Sequence, residues 1–378
     1  IHTHDGCTAA EQRIARDQEI ISSYLTNAVD ERLFHALVLI GGYGRGEGGY
    51  YWKDGKPYPY NDYDYFLVVK DTSRRVARKL QQQLQPLAHQ LHRLVDVEVD
   101  VAVLRLEDIA RLPFTLMHSE MQWGHRVIAG DINVLASMPP MPWEKLPAGE
   151  FTRLMNNRGS LLLMNRQLLD ENRDMSAQDT EQFYRYVFKA VLACGDAWLA
   201  MHDRYHPSYH EKSVRLEQMS IDPVEDFMTL YQEAVRYKFN PVPEQYADED
   251  PLSWQDRSIS CWLGTLWKFE SNRLGYDIGD WQHYASIKIS KGQSESENEL
   301  KNILITMRDF GLTHTLTHLF LARRYPRERM IGILPSLLSQ KSSKGNSPGD
   351  LPALLGQKTQ LTVGQLTGHY FSAWPRYA

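Results

Sequence analysis

The chain has 378 residues, of which 42% are hydrophobic and 24% are charged, and its net charge is −5 with a pI near 6.3. This length favours two domains over a single core, and the acidic balance argues against a dedicated nucleic-acid-binding protein. Three widely spaced cysteines without a CxxC pair argue against a disulfide framework or a zinc knuckle and favour a reducing cytoplasm. The sequence contains no apolar run long enough to span a membrane, and Ile1–Asp17 lacks the pattern of a signal peptide.

The first part of the chain predicts a small α/β unit. Residues 10–29 have the periodicity of an amphipathic helix, and the apolar run His35–Ile40 predicts a buried strand. The segment Tyr50–Tyr60 contains an Asp-Gly step between aromatic residues, which predicts a protruding hairpin. Residues 62–69 predict a second buried strand, and His125–Asp131 predicts a further short strand.

A helix and an acidic strand are predicted between these strands. Thr72 stands where it would cap the helix, whose apolar residues recur at helical spacing. The following segment, Val95–Leu104, begins with a strict alternation of valine and acidic residues. Because side chains alternate across a strand, this pattern predicts a strand with Asp96, Glu98 and Asp100 on one face.

The second part of the chain has a different character. After a proline-rich stretch, helical periodicity dominates from Glu150 to about Gln340, which predicts a helical bundle. We therefore predict an α+β fold with three parts. They are a small mixed-sheet domain at residues 1–137, an all-α helical domain at residues 145–340, and a linker with a C-terminal tail at residues 341–378.

Acidic residues on the predicted strands are the strongest functional signal. Asp62 and Asp64 are two apart on one strand, so their side chains point to the same face and repel each other. A divalent cation between them relieves this repulsion, and hard oxygen ligands suit Mg²⁺. The neighbouring acidic strand can supply a third ligand, for which Asp100 is the first candidate and Glu98 the alternative.

A glycine-rich segment directly precedes these acids. Gly41–Gly49 contains six glycines in nine residues, which indicates a backbone that bends tightly or approaches a ligand closely. Backbone N–H groups in such a turn can bind phosphate oxygens. Beside a carboxylate cluster, this is the equipment of phosphoryl or nucleotidyl transfer, in which two metal ions bridge the attacking oxygen, the α-phosphate and the leaving pyrophosphate. Arg45 either pairs with Glu47 or contacts phosphate.

The order of these motifs resembles a known superfamily. A Gly-Gly-Tyr-Gly-Arg-Gly-Glu segment, an Asp-x-Asp on the next strand and an Asp on a later strand resemble the motifs of polymerase-β-type nucleotidyltransferases. The glycine segment Gly41–Glu47 is most similar to the motif of PII uridylyltransferases. The resemblance extends over roughly residues 30–131, about a quarter of the chain.

The resemblance implies roles for individual residues. Gly41 and Gly42 would hold the triphosphate, and Asp62 and Asp64 would bind the metal ions. Asp100 would complete the site as a third ligand and help to activate the acceptor hydroxyl.

Two departures from the family pattern leave the nucleotide and the acceptor open. The segment Tyr50–Tyr60 lengthens the distance between the glycine turn and the first Asp, and Asn61 replaces the usual Ser or Thr. The helical half resembles, more loosely, the substrate domains appended to such enzymes. Lys189 is the candidate there to contact the triphosphate, and its alternative is a lysine on the surface of an amphipathic helix.

The predicted reaction is the transfer of a nucleoside monophosphate from ATP or another NTP to an acceptor hydroxyl, with release of pyrophosphate. Mg²⁺ is the expected cofactor, with two ions in the site, and Mn²⁺ is an alternative. The acceptor is a small molecule, a protein or an RNA end. RNA stays open because of the basic segment Lys301–Lys358, whereas the acidic net charge favours the other two. No membrane partner is expected. The competing hypothesis is a non-catalytic regulatory module that binds nucleotide.

Overall fold

The computed structural model describes residues 1–170, 175–219, 226–287, 298–357 and 360–377. The chain divides into two compact units. The first unit contains residues 1–146 together with 206–212 and 235–242, and the second contains residues 147–205, 213–234 and 243–378.

The first unit contains a small mixed sheet and several helices. Its strands are β1 (Phe34–Leu39), β2 (Tyr50–Lys53), β3 (Lys56–Pro59), β4 (Tyr63–Val69), β5 (Val99–Arg105) and β6 (Arg126–Gly130). Its helices are α1 (Thr8–Asn27), α2 (Gly41–Arg45), α3 (Arg74–Val95), α4 (Leu106–Ile109) and α5 (Leu116–Trp123), and a 3₁₀ turn spans Trp143–Lys145. Four strands form one sheet in the order β5-β4-β1-β6, in which β4 and β5 are parallel and the other pairs antiparallel.

Both faces of this sheet are buried, which explains the continuous apolar runs of β1 and β4. On one face, alternate residues of β4 such as Tyr65 and Leu67 pack with apolar residues of α1 and α3. On the other face, Phe66 and Val68 pack with residues such as Met121 and those that follow β6. The sheet is therefore fixed on both sides, and the ends of its strands have defined positions.

The remaining two strands, β2 and β3, form the predicted hairpin, with Tyr51 opposite Tyr58. Asp54 and Gly55 connect them, and both have a positive φ, of 50° and 71°. This is the two-residue connection that matches the twist of paired strands, which is why an Asp-Gly step occurs here.

The acidic strand begins later than the alternation of residues predicts. Helix α3 continues to Val95, and Asp96 ends it in the left-handed conformation with φ of 57°. The strand itself starts only at Val99, so Asp96 and Glu98 precede it. The cap of α3 was also predicted one residue too early, because Ser73, and not Thr72, accepts the hydrogen bond from the Val76 N–H.

The second unit is helical in the residues that the structure describes. Its helices, including two that begin or end in segments of the first unit, are α6 (Ala148–Asp170), α7 (Ala177–Met201), α8 (Tyr209–Glu217), α9 (Phe227–Phe239), α10 (Pro251–Leu274), α11 (Trp281–Ser286), α12 (Glu299–Phe310), α13 (Leu312–Thr317), α14 (Leu319–Ala322), α15 (Pro326–Leu338), α16 (Leu351–Leu354) and α17 (Val363–Tyr377), with a 3₁₀ turn at Pro243–Tyr246. Helices α6, α7 and α10 pack on one another around residues such as Phe183 and Trp262. None of the described helices is long and apolar enough to cross a membrane.

The C-terminal segment belongs to the second unit, which differs from the linker and tail expected over residues 341–378. The Ser347 N–H donates to the Leu361 carbonyl at 2.8 Å. In α17, Tyr370 is fully buried and its hydroxyl lies 2.7 Å from Ser160 Oγ on α6. The polar residues at the start of this segment led to the prediction of a linker, although apolar residues near its end pack in the second unit. Lys358, which was counted in the basic segment, lies outside the described residues.

Candidate metal centre

Three carboxylates converge at one end of the parallel strand pair. Asp62, Asp64 and Asp100 each offer an oxygen atom, and these oxygens all lie within 4.8 Å of one another. Among the described residues, this is the one group of three or more acidic, histidine or cysteine side chains with such spacing. The structure therefore brings together the three acids that the sequence singled out first.

The strand register explains why these residues meet. In the parallel pair β4 and β5, Tyr63 lies opposite Val99 and Asp64 lies opposite Asp100. Asp62 directly precedes β4, two residues before Asp64, so both side chains project towards the same face. Glu98, the alternative third ligand, is exposed and lies outside the cluster. Its carbonyl instead accepts the Tyr63 N–H at 2.8 Å, which starts the strand pairing.

Electrostatics make this cluster unfavourable by itself. Partial burial and the negative charge of Asp62 raise the pKa of Asp100. Like charges at this spacing repel, and a bound divalent cation removes the repulsion. The donor set consists of carboxylate oxygens alone, which fits hard cations such as Mg²⁺ or Mn²⁺ better than metals that prefer nitrogen or sulfur ligands.

The glycine-rich segment lies against the carboxylate cluster. It forms the single-turn helix α2, whose first residue Gly41 has φ of +68°. A Cβ atom on Gly41 would lie 2.6 Å from Asp64 Oδ2, so a larger residue cannot occupy this position without displacing that carboxylate. A Cβ on Gly44 would likewise lie 2.6 Å from the Leu39 carbonyl oxygen. Gly41 and Gly44 are therefore required by close approach, Gly41 to the candidate ligand itself.

Tyr43 ties the glycine-rich segment to the start of β4. Its buried hydroxyl donates to the Gly49 carbonyl at 2.7 Å and accepts the Tyr60 and Asn61 N–H groups at 3.0 and 3.3 Å. Asn61 Oδ1 in turn accepts the Gly49 N–H at 3.1 Å. These bonds fix the residue immediately before Asp62, so the tyrosine positions the first acid of the cluster. The asparagine that departs from the family pattern takes part in the same network.

Arg45 and Glu47 have separate partners in the structure. Arg45 Nη1 pairs with Glu120 Oε2 at 2.8 Å, and its side chain is largely buried. The Glu47 carboxylate caps the start of α8: it accepts the Ser208 hydroxyl at 2.6 Å and the Tyr209 N–H at 3.1 Å. Arg45 therefore makes a structural ion pair, but with a different acid from the one considered from sequence.

Two lysines that the sequence reasoning missed lie in the first unit. Lys212 is fully buried, and its Nζ lies 4.1 Å from the centre of the Tyr209 ring, while Lys238 Nζ lies 4.6 Å from the same ring. Glu47 of the glycine segment caps the helix that carries Lys212, and the Lys238 carbonyl lies against Gly49. Lys189, the predicted phosphate contact, is on α7 in the second unit and is partly buried.

Comparison with known proteins assigns neither a family nor a function to this chain. The chain matches no model of a known protein family, and it matches no curated protein sequence. The function is therefore inferred from the chemistry of the carboxylate cluster and the glycine-rich segment.

Proposed function

We propose that this protein is a metal-dependent nucleotidyltransferase that moves a nucleoside monophosphate from an NTP to an acceptor hydroxyl and releases pyrophosphate. The single observation that carries the proposal is the convergence of the Asp62, Asp64 and Asp100 oxygens within 4.8 Å, on strands whose register is fixed by a buried core. A protein that only bound nucleotide would have no need for three acids held together against their mutual repulsion.

The position of the glycine-rich segment supports the same reaction class. Gly41 adjoins the Asp64 carboxylate so closely that only hydrogen fits between them. Phosphate oxygens bound by the N–H groups of Gly41 and Gly42 would therefore be next to the cation ligands. This juxtaposition matches a polyphosphate substrate, because its charge has to be met both by the backbone dipoles and by the metal.

Each residue of the cluster then has a definite task. Asp62 and Asp64 would hold the cation, and the fixed strand register keeps them in position before substrate arrives. Asp100, the most exposed of the three, would orient the acceptor hydroxyl and receive its proton. Bound Mg²⁺ would neutralise the charge on the phosphates during in-line displacement.

The proposal is tested by replacing both strand-start acids with alanine. The wild-type protein and the Asp62→Ala, Asp64→Ala double variant are incubated with each α-labelled NTP, Mg²⁺ and acceptors of three classes: small molecules, proteins and tRNA. We expect label transfer and pyrophosphate release only with the wild type. Equal transfer by the double variant would overturn the proposal, because the acids would then be dispensable.

A matched control removes an acid without touching the cluster. Glu98→Gln deletes one negative charge two residues from Asp100, on a side chain that is exposed. We expect this variant to retain wild-type transfer. If instead the wild type binds NTP with Mg²⁺ by calorimetry but never releases pyrophosphate with any acceptor class, the non-catalytic regulatory module replaces the enzyme.

A further inference from the structure

The second unit contains a cavity between α13 and the segment around α16. Its volume is about 350 Å³, which is within the range of pockets that bind small ligands. Side chains with nitrogen and oxygen donors line it from both walls, namely His314, His318, Asp350, Gln357 and Gln360. This cavity, here called the histidine cavity, therefore offers polar atoms to a ligand.

The helix fixes the two histidines relative to each other. They are four residues apart, and the His318 N–H donates to the His314 carbonyl at 2.9 Å, which is the bond of a helical turn. Side chains at this spacing lie on the same side of a helix, and the centres of the two rings are 4.8 Å apart. Two imidazole rings that share one Zn²⁺ ion, each through a nitrogen about 2.1 Å away, have their centres roughly 5 Å apart. The observed separation therefore suits a shared metal ion.

An oxygen donor lies on the opposite wall of the cavity. Asp350 directly precedes α16, but its carboxylate does not cap that helix, and its side chain is exposed. The ligand atoms of His314, His318 and Asp350 are not yet all within 4.8 Å of one another. The aspartate would therefore turn towards an ion held by the histidines, or bind it through a water molecule.

Backbone hydrogen bonds fix the wall that carries Asp350. The Ser347 N–H donates to the Leu361 carbonyl at 2.8 Å, and the Val363 N–H donates to the Gly345 carbonyl at the same distance. The two walls are thus in place before any ligand binds, and only side chains have to move.

The donor set favours a transition metal over Mg²⁺. Imidazole nitrogens suit Zn²⁺, Ni²⁺ and Cu²⁺, whereas Mg²⁺ prefers oxygen ligands. The histidine cavity differs in this respect from the carboxylate cluster, whose ligands are oxygens alone. Two histidines and one carboxylate leave a coordination position for water or for a small molecule in the cavity, as in zinc sites with three protein ligands.

We propose that the histidine cavity binds a divalent transition-metal ion such as Zn²⁺ through His314 and His318, with Asp350 as an additional oxygen ligand. The cavity belongs to the second unit and the carboxylate cluster to the first, so this site does not depend on the proposed transfer reaction.

The test measures Zn²⁺ binding to the full-length chain by competition with a chromophoric chelator. Every protein carries Asp64→Asn, so that Zn²⁺ at the carboxylate cluster does not hide the effect. His318→Gln removes a ligand, and the matched control His89→Gln removes an exposed histidine of α3. We expect the parent protein and His89→Gln to bind Zn²⁺ equally, and His318→Gln to bind it at least tenfold more weakly, because one of two nitrogen ligands is lost.

A second measurement identifies the donor atoms and needs no substitution in the cavity. Electron paramagnetic resonance with Cu²⁺ as the probe should show coupling to two nitrogens, which carboxylate oxygens do not produce. Circular dichroism establishes whether His318→Gln is folded, and the folded variant should lose coupling to one nitrogen.

Three results would overturn the proposal: no Zn²⁺ binding at about 100 μM, equal binding with and without His318 in folded proteins, or a Cu²⁺ signal without nitrogen coupling. Transfer activity is not a readout, so failure here is separate from failure of the proposed function.

Discussion

The carboxylate cluster and the exposed apolar side chains of α12 are both arrangements that water alone would not favour. In the first, three like charges are held within 4.8 Å of one another. In the second, apolar side chains face solvent while Asn302 and Thr306 are buried. In each case the surrounding contacts fix the geometry. For the oxygens, the proposed partner is a divalent cation.

The largest expected effect comes from removing one ligand of the cluster. Asp64→Asn keeps the shape of the side chain but deletes a charge opposite Asp100. We expect the rate of transfer at saturating NTP and Mg²⁺ to fall by about 10³-fold, roughly 4 kcal/mol in activation free energy. The rate is measured as pyrophosphate release. A fall of less than about threefold would mean that the acids are not catalytic ligands.

A smaller effect is expected when alanine replaces a glycine of the turn. Gly41→Ala and Gly55→Ala both place alanine at a positive φ, of 68° and 71°, which costs about 1 kcal/mol at each position. The added methyl group meets Asp64 at the first position and open space at the second. We therefore expect Gly41→Ala alone to reduce transfer, by about 10- to 100-fold, roughly 1.4–2.7 kcal/mol. Equal rates in the two variants would show that the glycine turn does not take part in the reaction.

The two surfaces also differ in how far the sequence predicts them. Asp62 and Asp64 are adjacent on one strand, so their common direction follows from local periodicity. The partner of that strand was harder to place, because valine–acid alternation continues unchanged from the end of α3 into β5. The actual boundary lies at Asp96, which adopts the left-handed conformation that an acidic residue tolerates.

Long-range pairings were beyond sequence reasoning at several positions. The partner of Arg45 is 75 residues away, and the helix capped by Glu47 begins 162 residues later. Lys212 belongs to the first unit, although sequence periodicity assigned its segment to the helical half. In α12, periodicity identifies an amphipathic helix but not which face points inwards. The structure shows Asn302 and Thr306 buried and Leu300 and Leu304 exposed, which the periodicity alone does not indicate.

The stability of the second unit should depend more on the buried polar side chains of α12 than on its exposed leucines. Asn302→Ala removes a buried donor from the Arg323 carbonyl and should lower the free energy of unfolding by about 1–2 kcal/mol. Leu304→Ala should change it by less than about 0.5 kcal/mol, because the side chain is mostly exposed within one chain. Denaturant unfolding of both variants is measured at the same protein concentration. The opposite ranking would show that Leu304 belongs to an internal core.

The smallest effect concerns acid sensitivity near the glycine segment. Burial opposes ionisation of Glu11, but hydrogen bonds from Thr3 and His2 lower the pKa of Glu11 to about 2. His2 and Thr3 in turn pair with Gly48. Because the folded pKa is below the usual value, Glu11 stabilises the fold at neutral pH, and this contribution is lost between about pH 4.5 and pH 2.

Glu11→Gln should therefore lower the free energy of unfolding at pH 7 by about 1 kcal/mol, a figure reduced for solvent screening. The difference from wild type should shrink as the pH falls to 3. Thermal unfolding of both proteins across this range measures it. A difference that stays constant with pH would indicate that the Glu11 charge is not involved.

The most direct test of the carboxylate cluster is metal binding without any substrate. Titration with Mn²⁺, followed by the electron paramagnetic resonance signal of the free ion, is carried out on wild type, Asp64→Asn and Glu98→Gln. We predict that wild type and Glu98→Gln bind Mn²⁺ equally and that Asp64→Asn binds at least tenfold more weakly, with Mg²⁺ competing for the same site. Equal Mn²⁺ binding by all three proteins would contradict the assignment of Asp62, Asp64 and Asp100 as a metal centre.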